Sequence, residues 1–294
     1  MSAISGSASQ ATATCYRHDD REAGRRCTRC GKPACGECLV SANVGSHCLE
    51  CTKAARPDLG TRARHWQAGQ HAIVSRVLIG INLAVFFGLG ALYGLGGMLS
   101  GRITDAHVRY GLNDVLITDG SAFGIGWDAE QWYRLVTAGF LHFGIIHVGM
   151  NMYFLYLLGN EMERPLGRGR FLLLYFAGLL GGSAGALLLG GGGITAGASG
   201  AVFGLLGAYA VSIWQHGINV FQTQIGTLLL INLFLTFAIS NISIGGHLGG
   251  LVAGGICGFV MMAPGWKGIP TWATWLTPVG VSLVAIGLSV AVVG

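Results

Sequence analysis

Seven apolar stretches divide this chain, and each approaches the length that is needed to cross a lipid bilayer. A helix requires about 20 mostly apolar residues to span the hydrocarbon core, where its backbone polar groups must be paired internally. Only 11% of the 294 residues are charged, whereas soluble domains hold about 25%. The sequence therefore predicts an all-α polytopic membrane protein with spans near Val74–Leu95, Phe143–Asn160, Phe171–Leu189, Ser199–Trp214, Thr223–Ile239, His247–Met262 and Trp275–Val293.

Basic residues are concentrated at the N-terminal end, since eleven of the 18 Lys and Arg residues lie within 1–76. Loops rich in Lys and Arg stay on the cytoplasmic side of a membrane, so we expect a multi-pass cell-membrane protein with a cytoplasmic N-terminus. The second, fourth and sixth spans then begin at the outer face. This count places His147, Ser199 and His247 at one depth.

Ser199 and His247 are the candidate nucleophile and general base. A serine hydroxyl becomes a strong nucleophile when a neighbouring histidine takes its proton. His147 and Asn151 are four residues apart, so they share one helix face and can both donate hydrogen bonds to an oxyanion. No acidic residue lies in the fourth or sixth span, which favours a Ser–His dyad over a triad.

Each of these groups also has a structural interpretation. Gly197 and Gly200 suit close helix packing, with Ser199 bonded to a backbone carbonyl. Asn241 or a backbone carbonyl would satisfy His247, and His147 with Asn151 would serve as hydrogen-bonding glue. One alternative function is a non-enzymatic membrane adaptor that binds transmembrane segments. A transporter ranks last, because the third to seventh spans hold no acidic residue that could carry ions or protons.

The motifs in residues 70–265 resemble those of the rhomboid family of intramembrane serine proteases. His147–Asn151 looks like the family's HxxxN element, Gly197–Gly200 like its GxSG element, and His247 with the glycines after it like its HxxGxxxG element. Glu161–Arg164 and the pair Trp132 and Arg134 resemble two further family motifs. Tyr133 separates that pair, which leaves the structural role of Arg134 open.

The resemblance implies a rhomboid-like bundle of six plus one helices over 73–294, with Ser199 as nucleophile and His247 as base. His147, Asn151 and the Ser199 N–H would form the oxyanion hole, supported by Gly197 and Gly200. Phe203 stands where many members have Tyr, and its ring can still stack on His247. The implied substrates are transmembrane proteins cut near the outer leaflet, without a catalytic cofactor. By analogy, the fifth span with Asn232 and Phe234 would be a mobile gate.

The N-terminal segment contains four pairs of metal-ligand residues, each pair separated by two residues. Eight ligands suffice for two tetrahedral zinc ions, and a reducing cytoplasm makes disulfides the weaker interpretation. The spacing resembles a B-box-type zinc finger. The cross-brace of that finger implies one site of Cys15, His18, Cys35 and Cys38 and another of Cys27, Cys30, Cys48 and Cys51.

This zinc-stabilised head is expected at 12–54, after a disordered segment at 1–11 and before a linker at 55–72. His47 is a ninth candidate ligand. A cytoplasmic protein partner ranks ahead of lipid headgroups or nucleic acid, because the head has few aromatic residues and a modest number of basic ones. Cys257, alone in the sixth span, is expected to be a packing residue.

Overall fold

A computed structural model describes residues 13–42, 44–56, 72–118, 131–190, 193–239 and 242–293. The chain divides into two compact units, Met1–Trp66 and Gln67–Gly294. The segment predicted to be disordered, 1–11, lies outside the described residues, as does most of the predicted linker. The finer domain limits given above stay predictions.

The first unit is built from short antiparallel strand pairs around buried cysteines. Strands β1 and β2, β3 and β4, and β5 and β6 pair with one another. Their small core holds Cys15, Ala34, Cys35 and Cys38, which is far less apolar surface than a domain normally needs to fold by itself. The described elements are β1 (Thr14–Cys15), β2 (His18–Glu22), β3 (Arg25–Arg26), β4 (Pro33–Ala34), β5 (Leu39–Ser41), β6 (Ser46–Cys48) and helix α1 (Leu49–Ala54).

The second unit is a helical bundle, and each of the seven predicted spans corresponds to one of its helices. The described helices are α2 (Ile73–Tyr93), α3 (Leu95–Ser100), α4 (Asp105–Tyr110), α5 (Asp114–Thr118), α6 (Arg134–Thr137), α7 (Gly144–Leu166), α8 (Arg168–Leu188), α9 (Ser199–Gln215), α10 (Gln224–Ala238), α11 (Ile244–Met261) and α12 (Thr271–Val293). The largest departure is α7, which continues six residues beyond the predicted end at Asn160.

Within the part of the chain that the structure describes, four helices, α2, α8, α11 and α12, are long and apolar enough to cross a membrane. A fifth span is obtained if Arg134–Phe140 and Gly144–Leu166 are counted together, although they are bent by 96°. Helices α9 and α10 have only 17 and 15 residues. The chain is thus a multi-pass, mostly helical membrane protein, and the count of seven crossings stays a prediction.

Glycines bring the backbones of α8, α9 and α11 into direct contact. A Cβ atom added at Gly204 of α9 would lie 2.6 Å from the Gly178 Cα atom of α8. One added at Gly254 of α11 would overlap the Gly204 backbone. In lipid, where no hydrophobic force drives helices together, such close contact supplies the dispersion energy of packing. The helix that begins at Ser199 is therefore held between two neighbours.

Two buried charged side chains fix the elements around this core. The carboxylate of Glu163 in α7 accepts hydrogen bonds from the N–H groups of Ile73, Val74 and Ser75, at 2.8–2.9 Å, and so satisfies the free donors at the start of α2. Fully buried Arg134 donates to the carbonyl oxygens of Val108 and Gly111. Arg134 therefore holds the connection before α7. It has this structural role even though Tyr133 separates it from Trp132.

Candidate active site

Ser199 is the first residue of α9 and is half-buried. Gly197, two residues earlier, has φ +139°, a conformation that strongly favours glycine. Its N–H donates to the Ala138 carbonyl at 2.9 Å, which fixes the turn before the helix. Because the first N–H groups of a helix have no intrahelical acceptor, the Ser199 end of α9 offers free donors beside the hydroxyl.

Gly200 packs against the neighbouring helix α8. Its Cβ position lies 3.2 Å from the Gly182 Cα atom of α8, and a side chain at Gly182 would meet the Gly200 Cα atom at 2.8 Å. The packing interpretation of the Gly197-x-x-Gly200 motif is thus correct for Gly200. For Gly197 the tight contact is with His147 instead, because an added Cβ atom would lie 2.8 Å from His147 Cε1.

His247 lies in the first turn of α11, and two contacts hold its ring. Phe203, one turn after Ser199 on α9, stacks on the imidazole with ring centroids 4.1 Å apart and planes 17° apart, so the expected stacking is confirmed. The Thr236 hydroxyl of α10 lies 2.7 Å from His247 Nδ1. Asn241, the partner considered from the sequence, lies outside the described residues.

Thr236 was not anticipated as a site residue. The sequence analysis names Asn232 as a polar residue of this span, and Asn232 lies one turn before Thr236, on the same helix face. That spacing was the available signal. Only the packing of α10 beside α11 reveals which of the two side chains meets His247.

His147 is oriented by a backbone contact that indicates its tautomer. Its Nδ1 atom accepts the Phe143 N–H at 3.2 Å, so the ring proton belongs on Nε2, the atom on the Gly197 side. The Asn151 amide donates to the His147 carbonyl at 2.9 Å and is 5% exposed. Asn151 thus makes the structural hydrogen bond considered from the sequence, and its second N–H remains as a donor.

His142 is a further histidine at the site that the sequence interpretation missed. It is fully buried, and its Nε2 atom accepts the Ala198 N–H at 3.4 Å, directly before Ser199. Its ring also meets the His147 ring edge-on, with centroids 5.2 Å apart. His142 therefore supports both the turn that carries the serine and the ring of His147. The sequence separation between His142 and His147 does not indicate this contact, because His142 lies in the connection before α7 and His147 lies on that helix.

Pairwise contacts connect the candidate groups, since the Gly197 position lies against His147 and Phe203 stacks on His247. Ser199 and His247 are attached to adjacent helices, and Phe203 links them through its stack on the imidazole. Among the residues that the structure describes, however, no hydrogen bond connects the Ser199 hydroxyl to His247. Helix α10, with Asn232 and Phe234, lies beside them, and its role as a gate stays a prediction.

In the N-terminal unit, the eight predicted ligands form two clusters. One contains Cys15, His18, Cys35 and Cys38, and the other contains Cys27, Cys30, Cys48 and Cys51. The predicted grouping of these residues is thus confirmed. Within the described residues, His47 belongs to neither cluster. Cys257 is fully buried in the core of the bundle, as expected of a packing residue.

The spacing of the ligand atoms fits a tetrahedral metal. Zinc bonds of ordinary length would separate a thiolate from an imidazole nitrogen by about 3.6 Å and two thiolates by about 3.8 Å. The Sγ atoms of Cys35 and Cys38 lie 3.5 and 3.4 Å from His18 Nδ1, and those of Cys30 and Cys48 are 3.7 Å apart. Both clusters therefore match the distances that a metal ion would impose.

Hydrogen bonds in the head lower the pKa of some of its thiols. Burial by itself would raise the pKa of Cys15, but hydrogen bonds from backbone N–H groups, among them that of Cys35, lower that pKa to about 6. Cys27 shows the same balance, with backbone donors that include the Cys48 N–H, and its pKa is also lowered to about 6. The pKa of Cys35 is also lowered, chiefly by its hydrogen bond with His18. Burial raises the pKa of Cys38 to about 11, and the hydrogen bond with Cys30 raises the pKa of Cys51 to about 12. Since a thiolate is the form of cysteine that binds metal, each cluster contains at least one cysteine that is already poised to do so.

Comparison with known proteins places the bundle among rhomboids. The Rhomboid domain matches residues 129–264. Rhomboid protease GluP of Bacillus subtilis (strain 168) is 42% identical over 127 residues, which cover 42% of this chain and 25% of that protein. YdcA of the same strain, whose name also carries the words rhomboid protease, is 33% identical over 144 residues, covering 48% of this chain and 72% of that protein.

RHOMBOID-like protein 4 of Arabidopsis thaliana is 35% identical over 141 residues, which cover 45% of this chain and 35% of that protein. The chain thus spans about a quarter to a third of two of these relatives and more than two thirds of YdcA. The Rhomboid match contains Ser199 and His247, and the N-terminal unit lies outside it.

Proposed function

The chain belongs to the rhomboid family, and we propose that it is a serine endopeptidase that cleaves transmembrane proteins within the membrane. Ser199 would be the nucleophile and His247 the general base. The observation that carries this proposal is the position of Ser199 at the open end of α9, one turn from the Phe203 ring that stacks on His247. The names of the relatives, which include rhomboid proteases, support the same reaction class.

The reaction follows from the groups around Ser199. His247 Nε2 takes the hydroxyl proton while Oγ attacks the scissile carbonyl carbon. The resulting oxyanion is stabilised by the free N–H of Ser199, by His147 Nε2–H and by the second Asn151 N–H. His247 then gives its proton to the leaving amine as the C–N bond breaks. Water, activated by the same base, releases the acyl group from Ser199.

We place the cut near the outer leaflet. The support is the distribution of Lys and Arg, which favours a cytoplasmic N-terminus and an outer position for the starts of α7, α9 and α11. A transmembrane substrate helix hides its peptide bonds in internal hydrogen bonds, so it must unwind locally before the attack. Small or helix-breaking residues lower the cost of that unwinding, and segments that carry them are the expected substrates.

A cleavage assay in liposomes tests the proposal. The purified chain is incubated with a model transmembrane substrate, and product is quantified for wild type, Ser199→Ala and Ser212→Ala. Ser212 lies on the same helix but away from the site, so it is the matched control. We expect Ser199→Ala to abolish cleavage while Ser212→Ala retains it. Undiminished cleavage by Ser199→Ala would refute the catalytic role.

The adaptor alternative makes a different prediction. An adaptor binds transmembrane segments without an activated serine, so a fluorophosphonate would not label it. A protease should be labelled at Ser199, and Ser199→Ala should lose the label. The comparisons do not favour an adaptor, because the relatives reported above include proteins named as proteases.

For the N-terminal unit we propose a B-box-like fold that holds two structural zinc ions and takes no part in the chemistry. The support is the pair of four-ligand clusters and their distances. When bound, the ions would supply the folding energy that this small core lacks. Cys15, His18, Cys35 and Cys38 would hold one ion, and Cys27, Cys30, Cys48 and Cys51 the other. A cytoplasmic protein remains the preferred partner of the head.

Elemental analysis of the full chain tests this second proposal. We expect two zinc ions per chain in wild type and one in a Cys38→Ser variant. Cys257→Ser removes the cysteine that lies outside both clusters, so it should retain both ions. Less than about one zinc per wild-type chain would rule out the two-site arrangement.

A further inference from the structure

Thr236 occupies an unusual place on α10. Of the 15 residues of this helix, only Gly226 and Thr236 are buried, and Thr236 is 1% exposed. The helix therefore presents a single buried hydroxyl to the rest of the bundle. That hydroxyl meets the ring of His247, because Thr236 Oγ1 lies 2.7 Å from His247 Nδ1.

A second hydrogen bond fixes the direction of the first. Thr236 Oγ1 also lies 2.7 Å from the carbonyl oxygen of Asn232, one turn earlier on α10. A carbonyl oxygen can only accept, and a hydroxyl has a single hydrogen to give. Thr236 therefore donates to Asn232 and accepts from His247, so Nδ1 carries the ring hydrogen.

The consequence for His247 concerns its tautomer. In a neutral imidazole one nitrogen carries the hydrogen and the other has the free lone pair. With the hydrogen held on Nδ1 by Thr236, the lone pair belongs to Nε2. That is the nitrogen that the proposed reaction requires as the acceptor of the Ser199 proton.

We propose that Thr236 is a positioning residue that holds His247 in the base-competent tautomer, in the place that a carboxylate occupies in a Ser–His–Asp triad. This rests on the proposed function. Phe203 of α9 stacks on the face of the His247 ring, and Thr236 of α10 accepts the hydrogen bond from Nδ1 at the ring edge. Because the acceptor and the base belong to different helices, His247 is oriented only while α10 stays packed beside α11.

The chain offers a matched control on the same helix. Thr227 is exposed, and its hydroxyl donates to the Thr223 carbonyl in the same four-residue pattern, but among the described residues no histidine is hydrogen-bonded to it. Thr236→Val and Thr227→Val therefore remove hydroxyls that donate in the same four-residue pattern, one buried against His247 and one exposed. Thr236→Ser shortens the side chain but keeps the hydroxyl at the His247 position.

The test measures the rate at which a fluorophosphonate labels Ser199, which reports on activation of the serine without requiring entry of a transmembrane substrate. We expect Thr236→Val to be labelled about 10-fold more slowly than wild type, the effect of losing one ordinary hydrogen bond. Thr236→Ser should stay within about 3-fold of wild type on the same scale, and Thr227→Val should be unchanged. Turnover of a transmembrane substrate should show a lower kcat at constant KM in Thr236→Val.

Three outcomes would overturn the proposal. One is labelling of Thr236→Val at the wild-type rate. Another is equal slowing in Thr236→Ser and Thr236→Val, which would point to packing rather than to the hydroxyl. The last is a Thr236→Val variant with an unchanged kcat and a raised KM for the transmembrane substrate, which would indicate a defect in substrate binding rather than in the base. Failure of the proposed function looks different, because wild type itself would then show no label that depends on Ser199.

Discussion

The contact between α8 and α9 should be sensitive to a single added methyl group at Gly204. A Cβ atom there would lie 2.6 Å from the Gly178 Cα atom, whereas ordinary contact begins at 3.4 Å. Because both atoms belong to helix backbones, neither can rotate away. In the Gly204→Ala variant the two helices must separate by about 0.8 Å, and dispersion contacts along the interface weaken.

The size of the effect follows from two opposing terms. Overpacking of a tight interface costs about 1–3 kcal/mol, whereas replacing Gly by Ala inside a helix gains about 1 kcal/mol. We expect a net loss of up to about 2 kcal/mol, which lowers the unfolding midpoint by up to about 8 °C. The separation also moves the helix that carries Ser199, so cleavage should fall together with stability.

Thermal unfolding in detergent, followed by circular dichroism at the helix band, measures this loss. Gly280→Ala on α12 is the matched control, because nothing lies within 4 Å of its Cβ position, and it should unfold at or above the wild-type midpoint. If Gly204→Ala were as stable as Gly280→Ala, the argument that direct backbone contact holds α8 and α9 together would be refuted.

Three further predictions concern single side chains. Phe203→Leu removes the aromatic face stacked on His247, so cleavage should fall about 10-fold, whereas Phe203→Tyr should retain it. Glu163→Gln replaces the carboxylate that accepts three N–H groups of α2 and should lower stability by about 1–2 kcal/mol in thermal unfolding; an unchanged midpoint would contradict this capping role. Burial lowers the pKa of His107, and the hydrogen bond to the His142 carbonyl offsets only part of that lowering. His107 therefore binds a proton more readily in the unfolded protein than in the folded one. Stability should therefore fall as the pH drops below about 6.5, and a His107→Gln variant should lose part of that dependence in unfolding measured from pH 7 to pH 5.

The sequence alone determined the helical character of the bundle and the position of its helices. Long apolar stretches leave a membrane-spanning chain few options other than helices, so the predicted spans and the observed helices agree closely. The separation of two residues within each pair likewise indicated the eight zinc-ligand candidates, and the resemblance to a B-box-type finger implied which pairs share an ion. Glu163 and Arg134 were recognised as motif residues, but their partners in α2 and in the connection before α7 were not predictable.

The tertiary structure alone decided how the site is assembled. The meeting of Thr236 with His247 and of His142 with the turn before Ser199 depends on which helices become neighbours. Those neighbours are set by close contacts such as that of Gly178 with Gly204, which act across more than 20 positions of the sequence. The pattern of residues along a chain reveals which atoms can react, since this is a property of each side chain. The orientation, tautomer and hydrogen-bond partner of a side chain depend on the residue that it contacts, and contacts between helices form only after the helices have packed.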